Sequence, residues 1–98
     1  MSTFEVVVLP AAEAETREAF LWYFERSPLA ADAFRTEVFD AIDGLADSAD
    51  TWPEDEDGVR RFVLRRFPYT LFYEVSQRTV TVLAVAHQRR RPGYWQAR

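Results

Sequence analysis

The spacing of apolar residues changes near residue 58, and this change restricts the folds that the chain can adopt. Before it, two segments carry apolar residues at intervals of three or four, which is the period of an amphipathic helix. After it, apolar and polar residues alternate or form β-branched runs, which is typical of strands. A short β-rich run precedes the helices. This order predicts an α+β fold, β-α-α-β-β-β, with two helices packed on one face of a small, mainly antiparallel sheet.

Proline and serine mark the ends of the two predicted helices. Pro10 suits the first turn of a helix, so the first helix is predicted over residues 10–26. Ser27 is a good N-cap and Pro28 fits the first helical position, so a second helix begins at once. The apolar face of the first helix is predicted to comprise Ala12, Ala19, Phe20, Tyr23 and Phe24, widened by Leu21 and Trp22.

Four segments are predicted as strands: residues 4–9, 60–67, 69–75 and 79–86. The first is an almost unbroken apolar run, which favours a buried strand. Residues 49–58 are predicted as a loop, and residues 76–78 as the turn of a hairpin. The periodic apolar positions of the helices and the central strands are expected to be buried together, namely Phe20, Tyr23, Phe34, Val38, Ile42, Leu71, Tyr73, Val82 and Ala84.

Length and composition limit the number of domains and the kinds of site that the chain can hold. The 98 residues predict one domain spanning residues 1–98. Because the chain has no cysteine and one histidine, we expect no disulfide and no zinc site. Residues 54–57 are four adjacent carboxylates without the ligand spacing of a calcium loop, and the three glycines are scattered, so no metal or cofactor is expected. With no long apolar run and no basic N-terminal region, the sequence predicts a cytoplasmic protein without membrane contact.

Charge divides the chain into two halves. Residues 1–58 hold 15 acidic residues against 3 arginines, and residues 59–98 hold 9 arginines against one acidic residue, Glu74. The formal net charge of −4 disfavours general binding to nucleic acids, because phosphate contacts need concentrated positive charge. The basic half can still provide a local site for an anionic group or pair with an acidic partner segment.

The C-terminal end concentrates the residues that suit a contact site. A β-branched run ends at His87, passes through three arginines and closes on Pro92, Gly93, Tyr94 and Trp95. If the strand at residues 60–67 neighbours the last strand, five or more guanidiniums share one region. Two interpretations stay open for them: forked contacts to phosphate or carboxylate, or pairing with the acidic helices. The candidate target-binding or partner-binding residues are Arg61, Arg65, Arg66, His87, Arg89, Arg90, Arg91, Tyr94 and Trp95.

Three segments together resemble the RelE/ParE toxin superfamily, and most closely its ParE branch, often labelled plasmid stabilisation proteins. They are residues 10–28, with Phe20-Leu21-Trp22-Tyr23-Phe24, residues 63–73, with Arg65-Arg66-Phe67-Pro68-Tyr69, and residues 82–95. The resemblance implies two helices on an antiparallel sheet and the toxin half of a type II toxin–antitoxin pair. It implies a cognate antitoxin as partner and, for the ParE branch, DNA gyrase as the inhibited target.

The RelE branch, which cleaves messenger RNA within the ribosome, is the alternative. The resemblance places Thr70 and Gln88 at positions where that branch carries arginines, while Tyr94 aligns with its C-terminal tyrosine. Loss of these cations removes charge stabilisation at a phosphate, so no catalytic residue is assigned. If the protein is a ribonuclease, His87 and Tyr94 are the candidates, with Arg89 or Arg90. A non-toxic protein-binding module on the same fold is the third hypothesis.

Overall fold

The computed structural model describes residues 3–97, so Met1, Ser2 and Arg98, which the one-domain prediction includes, lie outside the described residues. Two helices pack against one face of a four-stranded mixed sheet, which confirms the predicted α+β fold. In chain order the elements are β1 (Glu5–Val8), α1 (Pro10–Arg26), α2 (Pro28–Ser48), β2 (Arg60–Val63), β3 (Tyr69–Ser76) and β4 (Thr79–His87). Within this range, no helix is both long and apolar enough to cross a membrane.

The helix boundaries follow the local signals in the sequence. Pro10 and Pro28 occupy the first turns of α1 and α2. Ser27 links the helices, and its Oγ accepts a hydrogen bond from the backbone N–H of Ala30 at 3.2 Å. This side chain satisfies one of the N–H groups that a helix start leaves without an intrahelical partner. The single linking residue makes α1 and α2 a tight helical hairpin.

The sheet has the strand order β1-β4-β3-β2. The pairs β2–β3 and β3–β4 are antiparallel, while β1 runs parallel to β4. Phe72 pairs with Ala84 but Tyr73 pairs with Val82, so Leu83 is one extra residue in β4. Such a bulge bends and twists the strand locally. Residues 77 and 78 alone separate β3 from β4, so the hairpin turn is one residue shorter than predicted, and Gln77 within it has φ of 57°.

The core lies between the helical hairpin and the sheet. Of the nine predicted core residues, Phe34, Val38, Leu71, Tyr73 and Val82 are fully buried together. The half-buried residues Phe20, Tyr23 and Ile42 pack against them. Ala84 is buried outside this cluster, because it pairs with Phe72 on the sheet face turned away from the helices.

Several apolar residues predicted as buried are exposed. Val7 in β1 is 40% exposed, and alternate residues of β1 face solvent, since β1 is an edge strand with helices over one face only. On α1 the side chains of Leu21, Trp22 and Phe24 are about half exposed. They lie on the flanks and outer side of the helix, beyond the stripe that faces the sheet. The predicted apolar face of α1 was therefore too wide.

The strand predicted over residues 60–67 ends earlier, at Val63. The backbone N–H of Leu64 bonds to the carbonyl of Tyr69 at 3.0 Å and closes a turn. The N–H groups of Arg65 and Arg66 donate to the Glu37 carboxylate of α2 instead of to a strand. The loop predicted over residues 49–58 begins with a short 3-10 helix, Ala49–Thr51, whose Ala49 is fully buried.

The buried tyrosines predict that the protein becomes less stable at alkaline pH. Burial raises the pKa of Tyr23, Tyr69 and Tyr73 above the ordinary value of 10.0. Tyr73 also donates from its hydroxyl to the Ala49 carbonyl at 2.7 Å. A pKa raised by folding contributes stability that is complete below the unfolded pKa and is lost as pH rises through the folded pKa. Because the chain has no lysine or cysteine, tyrosines are the main side chains titrating there.

We therefore expect the free energy of unfolding to fall steadily above about pH 10. Urea unfolding followed from about pH 8 to about pH 11 measures this slope. The Tyr73→Phe variant is expected to be less stable at the lower pH, since the Ala49 carbonyl loses its partner, and to show a shallower alkaline slope. An unchanged slope in Tyr73→Phe would show that this phenol is not the group being titrated.

Candidate functional site

The sheet face turned away from the helices carries a cavity of about 680 Å³, here named the back-face cavity. Its floor includes Thr70 and Phe72 of β3 and Ala86 of β4. The chain turns back over this face after β4, with Gly93 at φ of 74°, a conformation that favours glycine. The short 3-10 helix Tyr94–Ala97 then places the Trp95 ring 5.4 Å from the Phe72 ring. The C-terminal segment is thus fixed by aromatic packing.

Of the arginines that the structure describes, three line the back-face cavity: Arg61, Arg90 and Arg91. The guanidinium of Arg61 lies 5.4 Å from the centroid of the Phe72 ring, and that of Arg90 lies 3.8 Å from the Tyr94 ring. Asp55 and Asp57 line the same cavity, so its charge is mixed. All three arginines are exposed, and with the two aspartates they form a charged rim around a floor that includes the Phe72 ring.

Arg65 and Arg66 lie apart from this rim. They occupy the turn after β2, where the Glu37 carboxylate of α2 accepts from both backbone N–H groups and from Arg66 Nε at 3.3 Å. The sequence predicted a shared region of five or more arginines if the strand that begins at residue 60 neighbours the last strand. In the structure these strands are β2 and β4, and β3 lies between them. Arg66 pairs instead with Glu37 of the acidic helix α2, which is the second of the two interpretations that the sequence left open.

His87 and Tyr94 line both the back-face cavity and a second cleft, but Nδ1 of His87 and the hydroxyl of Tyr94 are already hydrogen-bonded. His87 Nδ1 accepts a hydrogen bond from the backbone N–H of Arg89 at 3.0 Å. In a neutral imidazole this bond assigns the proton to Nε2, so neither nitrogen is an unoccupied proton acceptor. The Tyr94 hydroxyl donates to the Glu15 carboxylate of α1. Arg89 is exposed beside them, outside the residues that line either space.

Glu15 was not identified as a site residue from the sequence, where its position indicates only a favourable charge near a helix N-terminus. In the structure its carboxylate accepts from the Val85 backbone N–H at 2.9 Å as well as from Tyr94. β1 pairs with β4 only as far as Val82. Beyond that point the edge of β4 has no neighbouring strand, and the Glu15 carboxylate accepts the hydrogen bond of the Val85 N–H instead. Its place beside the apolar stripe of α1, three residues after Ala12, is the sequence signal that could have indicated a contact with the sheet.

The second space is a cleft of about 510 Å³ between α1 and the outer edge of β4, here named the edge cleft. Its walls are largely aromatic, and two carboxylates of α1 stand at its side. The residues that line it on the α1 side are Glu15, Glu18, Ala19, Trp22 and Tyr23, and those across from it are Pro68, Tyr69, Val85, His87, Arg90 and Tyr94. Among residues 3–97, no three metal-ligating side chains are grouped.

Comparison with known proteins identifies the family. Residues 6–92 match the model of the family described as ParE toxin of type II toxin-antitoxin system, parDE. The chain belongs to the ParE toxin family. This confirms the family that the sequence segments resemble.

One solved structure, titled "Chromosomal ParDE TA system from P. aeruginosa", shares the fold of this ParE family member, with a TM-score of 0.77. The match covers 87% of this chain and 96% of that one at 18% sequence identity. No curated protein matches the sequence. At so low an identity the structural likeness shows a common fold, while the family assignment rests on the match over residues 6–92.

Proposed function

We propose that this protein is a toxin that stops bacterial growth by binding and inhibiting DNA gyrase, and that a cognate antitoxin neutralises it in the cytoplasm. The match of residues 6–92 to the ParE toxin family carries this proposal. DNA gyrase is proposed as the target because residues 10–28, 63–73 and 82–95 resemble the ParE branch, for which gyrase inhibition is implied. Inhibition by binding requires an exposed surface with anchoring side chains, and arginine, tyrosine and tryptophan are frequent anchors in interfaces.

The target-binding surface is proposed to be the C-terminal end together with Arg61. His87, Arg90 and Arg91 surround the back-face cavity with Tyr94 and Trp95. Arg89, exposed next to them, is included, and so are Arg65 and Arg66 as peripheral contacts through exposed side chains. The backbone N–H groups of the latter two already bind Glu37, so only their side chains are offered to a partner.

A RelE-like endoribonuclease fits the same cavity less well. Thr70 and Gln88 line it where that branch carries arginines, so fewer cations face a phosphate there. The two candidate catalytic groups are also engaged, His87 with the Arg89 backbone and Tyr94 with Glu15. The grouping of His87, Arg90 and Tyr94 is the one observation that favours a ribonuclease. It makes RNA cleavage the second activity to assay.

The antitoxin is proposed to add a helix or a strand across grooves of the sheet and the helical hairpin. A groove of about 530 Å³ between α1 and α2 is lined by Val8, Phe20, Phe39 and Ile42, with charged residues at its sides. Phe39 is exposed there, and Phe24 stacks on Phe20 nearby. A segment that folds on binding can bury such a surface over a large area.

Induced expression in a bacterial host tests the proposal. We expect growth arrest with filamentation and a DNA-damage response while translation continues. Purified protein is expected to inhibit supercoiling by gyrase in proportion to its amount. Co-expression of the small protein encoded beside the gene is expected to restore growth and to give a stable complex on pull-down.

Other results point elsewhere. An abrupt loss of translation, with cleavage of messenger RNA on ribosomes, would replace gyrase binding by RelE-like activity. Normal growth at confirmed expression would favour a non-toxic binding module. A neighbouring protein that forms no stable complex would count against the antitoxin half of the proposal, even if growth arrest is observed.

A further inference from the structure

The walls of the edge cleft are flat aromatic surfaces. Trp22 meets Tyr23 edge-on with ring centroids 5.1 Å apart, and Tyr69 meets His87 in the same manner at 5.1 Å. Tyr23 and Tyr69 contact each other across 6.5 Å and so join the two walls. The face of an aromatic ring carries partial negative charge and attracts cations. Burial raises the pKa of both tyrosines, so they remain neutral near pH 7.

Carboxylates accompany these rings. Glu15 and Glu18 are three residues apart on α1, so both lie on the side of the helix that lines the cleft. Glu15 is committed to Val85 and Tyr94, whereas Glu18 is exposed and forms no ion pair within the described part of the chain. Among residues 3–97, Arg90 is the one arginine that lines the cleft, so the two carboxylates outnumber the arginines there. Aromatic rings attract an organic cation through their faces, and a neighbouring carboxylate serves as its counter-ion.

The chain's own arginines show how these rings hold a cation. The Arg26 guanidinium lies 3.7 Å from the centroid of the Trp22 ring, and that of Arg90 lies 3.8 Å from the Tyr94 ring. Among residues 3–97, no guanidinium is stacked on Tyr23 or Tyr69. Both rings also pack on Phe34 in the core and are half-buried, so only their solvent-facing parts lie in the cleft, beside the exposed Glu18 carboxylate.

We propose that the edge cleft binds the guanidinium of an arginine side chain presented by a partner protein, with Glu18 as its counter-ion and the tyrosine rings as its walls. A guanidinium fits better than an ammonium, because it is planar, stacks on aromatic rings and makes forked contacts to a carboxylate. The occupant is a protein side chain because the cleft, at about 510 Å³, has room for more than one side chain and borders the strand edge at Val85 and His87. The inference holds whether or not the chain is toxic.

Nuclear magnetic resonance on the full isotope-labelled protein tests this site. The probe is N-acetyl-arginine-N-methylamide, compared with the isosteric, uncharged N-acetyl-citrulline-N-methylamide and with methylguanidinium chloride at equal ionic strength. The arginine probe is expected to shift the Trp22 indole N–H signal in a saturable way. Trp52 and Trp95, the other two tryptophans, lie outside the edge cleft and serve as internal references.

Two variants with the same charge change locate the site. Glu18→Gln is expected to weaken binding of the arginine probe by about fivefold. Glu56→Gln, at an exposed carboxylate that lines neither the edge cleft nor the groove between α1 and α2, is expected to leave it unchanged. Equal binding of the citrulline probe, equal affinities in the two variants, or shifts centred on Trp95 would overturn the proposal. Methylguanidinium binding as tightly as the arginine probe would overturn the assignment to a protein side chain.

Discussion

Replacement of Phe34 by alanine is expected to lower the free energy of unfolding by about 3–5 kcal/mol, the usual cost of removing a large buried ring. Phe34 is fully buried in α2 and joins the two layers of the fold. Its ring centroid lies 5.3 Å from that of Tyr23 on α1, 5.4 Å from Phe67 and 5.1 Å from Tyr69 on β3. The cavity left behind is bounded by three rings from different elements, so it cannot close without moving a helix.

Phe39→Ala is the matched control, because it removes the same side chain from the same helix. Phe39 is 53% exposed, so its loss is expected to cost less than about 1 kcal/mol. Urea unfolding followed by circular dichroism measures both variants. A loss below about 1 kcal/mol in Phe34→Ala would mean that α2 does not pack on the sheet as described.

The double variant Arg89→Ala/Arg90→Ala is expected to abolish toxicity while leaving the fold intact. This prediction rests on the proposed function. Both arginines are exposed, and exposed charges contribute about 0–1 kcal/mol to stability. Arg90 also stacks on Tyr94, which adds about 0.5–1 kcal/mol at an exposed site. Plating after induction measures toxicity, and thermal unfolding measures stability.

Arg26→Ala/Arg78→Ala gives the matched control for charge and stacking. Arg26 stacks on Trp22 as Arg90 stacks on Tyr94, and Arg78 is exposed at the hairpin turn. This variant is expected to remain toxic. Cleavage of messenger RNA on translating ribosomes is assayed in parallel, because a ribonuclease would lose activity with the same two arginines. Full toxicity of Arg89→Ala/Arg90→Ala would place the target site elsewhere, and an unfolded variant would make these arginines structural.

The sequence by itself determined the order of elements, the bounds of α1, the start of α2 and the family. Pro10, Ser27 and Pro28 act within one turn of chain, so their effect does not depend on the rest of the fold. The apolar spacing of α2 identified Phe34 and Val38 as core residues, since a helix with one apolar stripe turns that stripe towards its neighbours. The three family segments likewise needed no tertiary information.

Only the tertiary structure decided how far each strand extends and which residues face solvent. The run of β1 has the composition of a buried strand, yet it lies at the sheet edge and Val7 is exposed. The strand predicted to reach residue 67 stops at Val63, because Glu37, 28 residues away from Arg65, takes the backbone N–H of that residue. Whether a residue is buried, and where a strand ends, depends on which other element packs against it. Local propensity does not specify that element.

The grouping of the candidate site residues was also decided by packing. Arg65 and Arg66 lie past the end of β2, where the Glu37 carboxylate of α2 accepts from their backbone N–H groups, so they do not line the back-face cavity with Arg90 and Arg91, although the sequence shows all of them as arginines beside strands. Glu15 meets Val85 across 70 residues of chain, and the edge cleft exists because α1 runs alongside β4 where β1 has ended. Periodicity reports which face of an element is apolar. It carries no information on which elements meet, and that is fixed by the packing of the whole core.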